Sequence, residues 1–197
     1  MTTLNLAKET ETFLYKCDGH SANISQKLLN LYKKVEFCDT IIYAGSNSIE
    51  IEVHSVVLTA LSDYFSEIFR DEQSESRIIN LQEIDASALK LVIDFLYSGC
   101  IELRLETVER IFRTAEVLKL HDLLNVCYDF IDKHTTPQNC LDFFRLANEF
   151  KFPALQDNCL AYAYAHFEEV IKQQNVMVLS EDELKDFLFY ENPMKNP

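Results

Sequence analysis

Glycine is nearly missing from this chain, with three scattered among 197 residues. A phosphate-cradling loop needs clustered glycines to bring backbone amides close to the ligand, so a glycine-looped nucleotide enzyme is excluded. Positive charge is also short: 18 Lys and Arg face 32 Asp and Glu, giving a formal charge of −14 and a pI near 4.7. Nucleic acid and anionic membranes both select for Lys and Arg, so neither is expected as a partner. No apolar run approaches the ~18 residues of a membrane span, and the N-terminal MTTLNLAKETETF lacks the basic start and apolar stretch of a secretory signal. Cys17, Cys38, Cys100, Cys127, Cys140 and Cys159 stand at long, irregular intervals without a CxxC pair, which argues against zinc. These features predict a cytoplasmic or nuclear chain whose reduced cysteines serve as small apolar side chains.

What the chain has in quantity is apolar and aromatic content, 48% and 12% of its residues. That suits a compact, helix-rich protein of one ordinary domain plus a smaller one. The densest information lies between Phe37 and Phe69. Thr40 to Tyr43 is a short apolar run, Gly45 to Ser48 is turn-forming, and Ile49, Ile51 and Val53 alternate with Glu50 and Glu52, so a hairpin with one wet face is expected. Val56, Val57, Leu58, Leu61, Phe65, Ile68 and Phe69 then recur at helical spacings, with Ser62-Asp63 as the cap between two short helices.

Before the hairpin, Ile24, Leu28, Leu31 and Val35 follow a helical stripe, and Leu29 and Tyr32 widen it beyond the arc that one core requires. Such a helix either faces a second subunit or lies deeper in its own domain. After the hairpin and short helices come a polar loop (Asp71 to Ser76), a third strand at Arg77 to Leu81, and a helix from Ala86 to Tyr97 stopped by Ser98-Gly99. Ile101 to Leu103 reads as a short edge strand. Helices over Leu105 to Leu118 and Asp122 to Lys133 are joined closely enough to be antiparallel neighbours. Thr135-Thr136-Pro137 reads as a capped helix start that opens a second block, with helices over Asn139 to Phe150, Ala154 to Phe167 and Ser180 to Phe189. Residues 1–20 read as a loose arm, in which Phe13, Leu14 and Tyr15 have strand character, and 191–197 as a tail.

Candidate chemistry is sparse. His54, with Cys38 and Asp39 on the neighbouring strand, can be drawn as a nucleophilic site, but its neighbours are bulky aliphatics without oxyanion donors, and a histidine hydrogen-bonded inside a small core fits better. His20, His121, His134 and His166 lack ligand spacing, and the paired acids Glu50/Glu52, Glu168-Glu169 and Glu181-Asp182-Glu183 read as solvated charges. No metal, cofactor or catalytic residue is expected, which leaves a binding module.

Phe37-Cys38-Asp39, Val53-His54 and Leu58-x-x-x-Ser62-Asp63-Tyr64-Phe65-x-x-x-Phe69 resemble the "CD", "AH" and "S-x-YF" signatures of the BTB (POZ) domain. LVIDFLYSG, ending at Gly99, is similar to that family's "DFxYTG" helix end. Pro137-Gln138-Asn139-Cys140 resembles the "P-x-NC" start of the BACK domain in kelch-like proteins. The resemblance covers roughly residues 21 to 190. It implies an α/β BTB/POZ fold, a small mixed sheet with surrounding helices, over residues 21–133, followed by an all-α partial BACK segment over 134–190. It further implies a homodimer whose interface includes Ile24, Leu28, Leu31, Val35 and Asp39. The function it implies is a non-catalytic substrate adaptor of a cullin-3 RING ubiquitin ligase, with substrate read by a region absent from this chain.

The cullin N-terminal domain would meet Tyr64, Phe69, Gln73, Glu75, His121 and the helix after Pro137, around Asn139. Two positions depart from the family pattern. Cullin binders show an apolar residue two before the glutamate, where Gln73-Ser74-Glu75 stands here, a loss of about 1–2 kcal/mol unless Phe69 or Ile68 compensates. Ser55 stands where an arginine often follows the histidine, which removes the usual basic partner of Asp39. The alternative reading is a BTB dimerisation module without cullin, recruiting another protein or antagonising a full-length adaptor.

Overall fold

The structure, a computed structural model, describes residue 16 and residues 18–70 and 77–189, with only the backbone at 175 and 178. Cys17, the Phe13–Tyr15 segment of the expected arm, the 71–76 loop with Gln73 and Glu75, and the 191–197 tail lie outside the described residues.

Three strands form one sheet in the order β2-β1-β3. β1 (Thr40–Ala44) pairs antiparallel with β2 (Ile49–Val53) in the expected hairpin, and β3 (Arg77–Leu81) lies parallel to β1 on its other side. The register puts Ile42, Ile51 and Ile79 side by side facing the core, all buried. Glu52, Ile41 and Ile78 alternate with them onto the opposite face, so the alternation legible in β2 does set the two faces of the sheet. Gly45 starts the hairpin turn at φ 68°, and a Cβ there would sit 3.3 Å from that of Ala86.

Ten α-helices among the described residues surround and extend the sheet. α1 (His20–Lys33) precedes it, and α2 (Ser55–Leu61) and α3 (Asp63–Arg70) form the crossover to β3. α4 (Ala86–Ser98) is the central helix, with Leu89, Val92 and Ile93 fully buried. Asp85 caps its start by accepting from the Ala88 N–H, and Gly99 at φ 69° ends it. α5 (Leu105–Val117) and α6 (His121–His134) form an antiparallel pair, as do α7 (Cys140–Glu149) and α8 (Pro153–Ala165). α9 (Phe167–Val170), a 3-10 turn and α10 (Glu181–Leu188) complete the chain, the last opened by a capping box between Ser180 and Glu183.

With so little glycine, three helices end in a Schellman turn on another residue. In α1 the Glu36 N–H bonds to Leu31 O and Val35 N–H to Tyr32 O, each at 3.0 Å, leaving Val35 at φ 56°. Lys119 after α5 (φ 53°) and Lys151 after α7 (φ 53°) close the same pattern.

Several expectations change. Val35 is not the last member of the α1 stripe, because the chain leaves the helix at Lys34. Ile101 and Leu103 pack half-buried against the core, but no described strand pairs with them. Pro137 lies in a turn ahead of α7 rather than at its first position: the Thr136 carbonyl accepts from Asn139 and Cys140, and the Asn139 side chain accepts from the Thr136 N–H at 2.7 Å.

One core runs from Tyr32 to Phe187. Across its middle, Phe112 of α5 meets Phe150 and Phe152 edge-on, and Asn158 of α8 donates to Tyr128 and Asp132 of α6. α7 and α8 are therefore built onto the first block, not hinged from it.

Candidate interaction surfaces

The junction of α1, β1 and α2 is organised around His54, which is buried. Its Nε2 lies 2.9 Å from the Glu36 carbonyl, an acceptor only, so that nitrogen carries the proton. Nδ1 accepts from the Tyr97 hydroxyl at 2.8 Å, and the same hydroxyl accepts from the His54 backbone N–H at 2.8 Å. Burial pushes the Tyr97 phenol up to about 12, which keeps it a hydroxyl. Tyr97 in turn stacks on Tyr32 of α1, with centroids 4.4 Å apart. His54 thus ties three elements together, with both ring nitrogens engaged, and Cys38 lies 3.9 Å from it with a thiol pKa raised by burial. Burial likewise pushes the Cys127 and Cys159 thiols up to about 12. Among the described residues no group of three or more His, Cys, Asp or Glu could hold a metal ion.

Asp39 finds in Ser55 a hydrogen-bonding partner in place of a basic one. Its carboxylate accepts from the Ser55 N–H at 2.6 Å, the Ser55 hydroxyl at 2.5 Å and the Thr40 hydroxyl at 3.2 Å. Ser55 is the first residue of α2, so the charge also sits against the positive end of that helix. Partial burial works to raise the Asp39 pKa, but these hydrogen bonds outweigh it and hold the carboxyl below its usual value.

The expected self-association set divides on α1. Leu28 turns inward with Leu29 and Tyr32 onto the core, whereas Ile24 is 46% exposed and Leu31 half-buried. Val35, beyond the helix, is 49% exposed. Sequence reasoning assigned none of the other apolar residues beside them: Phe37 is 83% exposed, and Val56 and Leu61 on the outer side of α2 are 68% and 52% exposed. The signal was present for α2. A seven-residue helix with five apolar residues, Ser-Val-Val-Leu-Thr-Ala-Leu, cannot bury them all on one side. Leu28, Val56, Val57, Ala60, Leu61 and Tyr97 line a groove of about 240 Å³ between α1, α2 and α4.

Of the second expected set, Tyr64 and His121 belong to the α2–α3 corner. Ser62 breaks the two helices as predicted: its hydroxyl accepts from the Phe65 N–H at 3.3 Å and donates to Leu118 O at 2.7 Å. That second bond holds the corner against the α5–α6 turn and places His121 beside it, in a cleft of about 400 Å³ with Leu61, Asp63, Phe95 and Lys119. Tyr64 is half-buried on α3, one residue after the Asp63 that lines this cleft. Phe69 is not a surface residue. It is 7% exposed, stacks on Phe65 and carries the Arg77 guanidinium 4.7 Å above its ring. Asn139 does not join the others: it lies beyond the far end of α6, a 14-residue helix about 21 Å long. There it bridges the α6–α7 turn through Thr136 N–H and His134 O.

Comparison with known proteins agrees with this architecture. The BTB/POZ domain family matches residues 28–135, and BACK (BTB And C-terminal Kelch) matches 140–193. Kelch-like protein 3 from Homo sapiens is 35% identical over 168 residues, which cover 84% of this chain and 28% of that protein. Kelch-like protein 4 from Homo sapiens is 29% identical over 172 residues, covering 86% of this chain and 24% of that protein. The chain thus spans about a quarter of the length of these curated relatives. Among solved structures, the BTB domain of zebrafish PATZ1 superposes with a TM-score of 0.57 at 25% identity, covering 62% of this chain and 99% of that domain. A small three-stranded sheet wrapped by helices and a helical extension built onto the same core accord with these matches: the chain belongs to the BTB/POZ family, with a BACK segment following, as in Kelch-like proteins.

Proposed function

We propose that the chain is the dimerising, cullin-binding part of a substrate adaptor for a cullin-3 RING ubiquitin ligase, as the kelch-like resemblance implies. Self-association uses Ile24, Leu31, Val35, Phe37, Val56 and Leu61, and Asp39 keeps α2 in place behind them. The cullin N-terminal domain meets the α2–α3 corner, with Tyr64 and His121, and Glu75. The observation that carries the reading is the BTB-to-BACK order on one continuous core, with an uncovered apolar strip on α1 and α2. Titrating a cullin-3 N-terminal fragment into the chain by calorimetry is expected to give a Kd of about 1 μM or tighter. No heat at about 50 μM of both components would overturn cullin binding.

A specific observation favours a second reading, a BTB module that does not hold cullin. Gln73 stands where an apolar anchor is expected, and Phe69 is committed to the core beneath Arg77, so it is in no position to replace that anchor. Under this reading Gln73→Met creates binding that the parent chain lacks; under the first, it only strengthens what is already measurable.

A further inference from the structure

We propose that Phe37 is the anchor of self-association, its ring seating in the groove that α1, α2 and α4 form on a second copy of the chain. The assignment rests on the self-association proposed above and names the contact that carries it. Phe37 is 83% exposed and takes no part in the core. It is nonetheless held out by a built turn. The Glu36 carbonyl is bonded to His54 at 2.9 Å, Cys38 lies 3.9 Å from the same ring, and Asp39 is clamped by Ser55 at 2.5 and 2.6 Å.

Both Val35 (φ 56°) and Phe37 (φ 63°) adopt the left-handed backbone that glycine favours, and neither is glycine. Among the described residues neither side chain is buried in return, Val35 being 49% and Phe37 83% exposed. A rigid, solvated aromatic whose neighbours are already fixed is the kind of residue that dominates an interface, because little freedom remains to be lost on binding.

The receptor lies close by. The Asp39–Ser55 bonds put the Phe37 turn at the N-terminal end of α2, and Val56, Ala60 and Leu61 of that helix line the groove opposite Leu28 of α1. At about 240 Å³ the groove falls below the ~300–1,000 Å³ of small-molecule sites and suits a single side chain. In a two-fold dimer each ring enters the partner's groove, so one knob and one hole per chain are buried twice.

The test is the dimer dissociation constant by sedimentation equilibrium for the parent chain, Phe37→Ala, Phe37→Leu and the groove-filling Ala60→Phe. Circular dichroism and thermal melting confirm that each variant is folded. Phe37→Ala and Ala60→Phe are each expected to raise Kd about 30-fold or more, and Phe37→Leu less. A folded Phe37→Ala that dimerises within about threefold of the parent would overturn the assignment while leaving self-association intact. A parent chain that stays monomeric at about 100 μM would overturn the self-association itself.

Discussion

One hydroxyl closes the polar circuit around His54. Without Tyr97 Oη, the buried His54 N–H loses its acceptor and Nδ1 its donor. Tyr97→Phe is therefore expected to cost about 2–3 kcal/mol in urea unfolding, more than an exposed hydroxyl would, because two polar groups are left unsatisfied. A loss below about 0.5 kcal/mol would mean that water or a neighbour takes the place of the hydroxyl. Asp39 acts at the same scale through its charge. Its folded pKa lies below the unfolded value of about 3.9, so its stabilisation is present above that pH and disappears as pH falls through the folded value. Comparing urea midpoints of the parent and Asp39→Asn across pH should show a gap at pH 7 that closes in acid. A gap that stays constant would contradict the Ser55 clamp as the source of the shift.

At the scale of elements, how the helices end accounts both for what could be read in the sequence and for what could not. The hairpin, the Ser62 break and the Gly99 stop were legible because alternation, a capping serine and glycine are local signals. The end of α1 was not: Val35 sits at a helical spacing, and the chain turns there through a Schellman turn without glycine, with the Glu36 carbonyl tied to His54. The same limit applied to Ser55, whose role depends on Asp39, 16 residues earlier in the chain. Phe69 and Val56 show the limit for the interaction surface, since helical spacing fixes which residues share a face but not which face is inward.

The Schellman turns also give a test at this scale. Lys151 is exposed at φ 53° and replaceable without loss of packing. Lys151→Gly is expected to raise stability by about 0.5–1 kcal/mol, the relief of left-handed strain exceeding the entropy glycine adds to the unfolded chain. For a chain of this length that is a Tm increase of about 1–4 °C by calorimetry. An unchanged or lower Tm would show that the turn carries no strain.

For the whole molecule, the family match divides at residues 135–140, but the core does not. Phe112 is fully buried between the two blocks, against Phe150 and Phe152, and Arg113 bridges Glu109 and Glu149 above it. Phe112→Ala is expected to cost about 3–5 kcal/mol. The loss should fall on one transition, seen alike by hydrogen exchange in α4 and in α8. Protection that collapses in α8 while α4 is unaffected would mean that the two blocks unfold independently.

Self-association and cullin docking meet in a single observable, the mass of the particle in solution. Light scattering on the chain at about 50 μM, alone and with excess cullin-3 N-terminal fragment, is the most direct test. The predicted result is twice the 22.9 kDa of one chain, rising by the mass of two fragments when the cullin is present. A mass of one chain, unchanged by the fragment, would contradict the account.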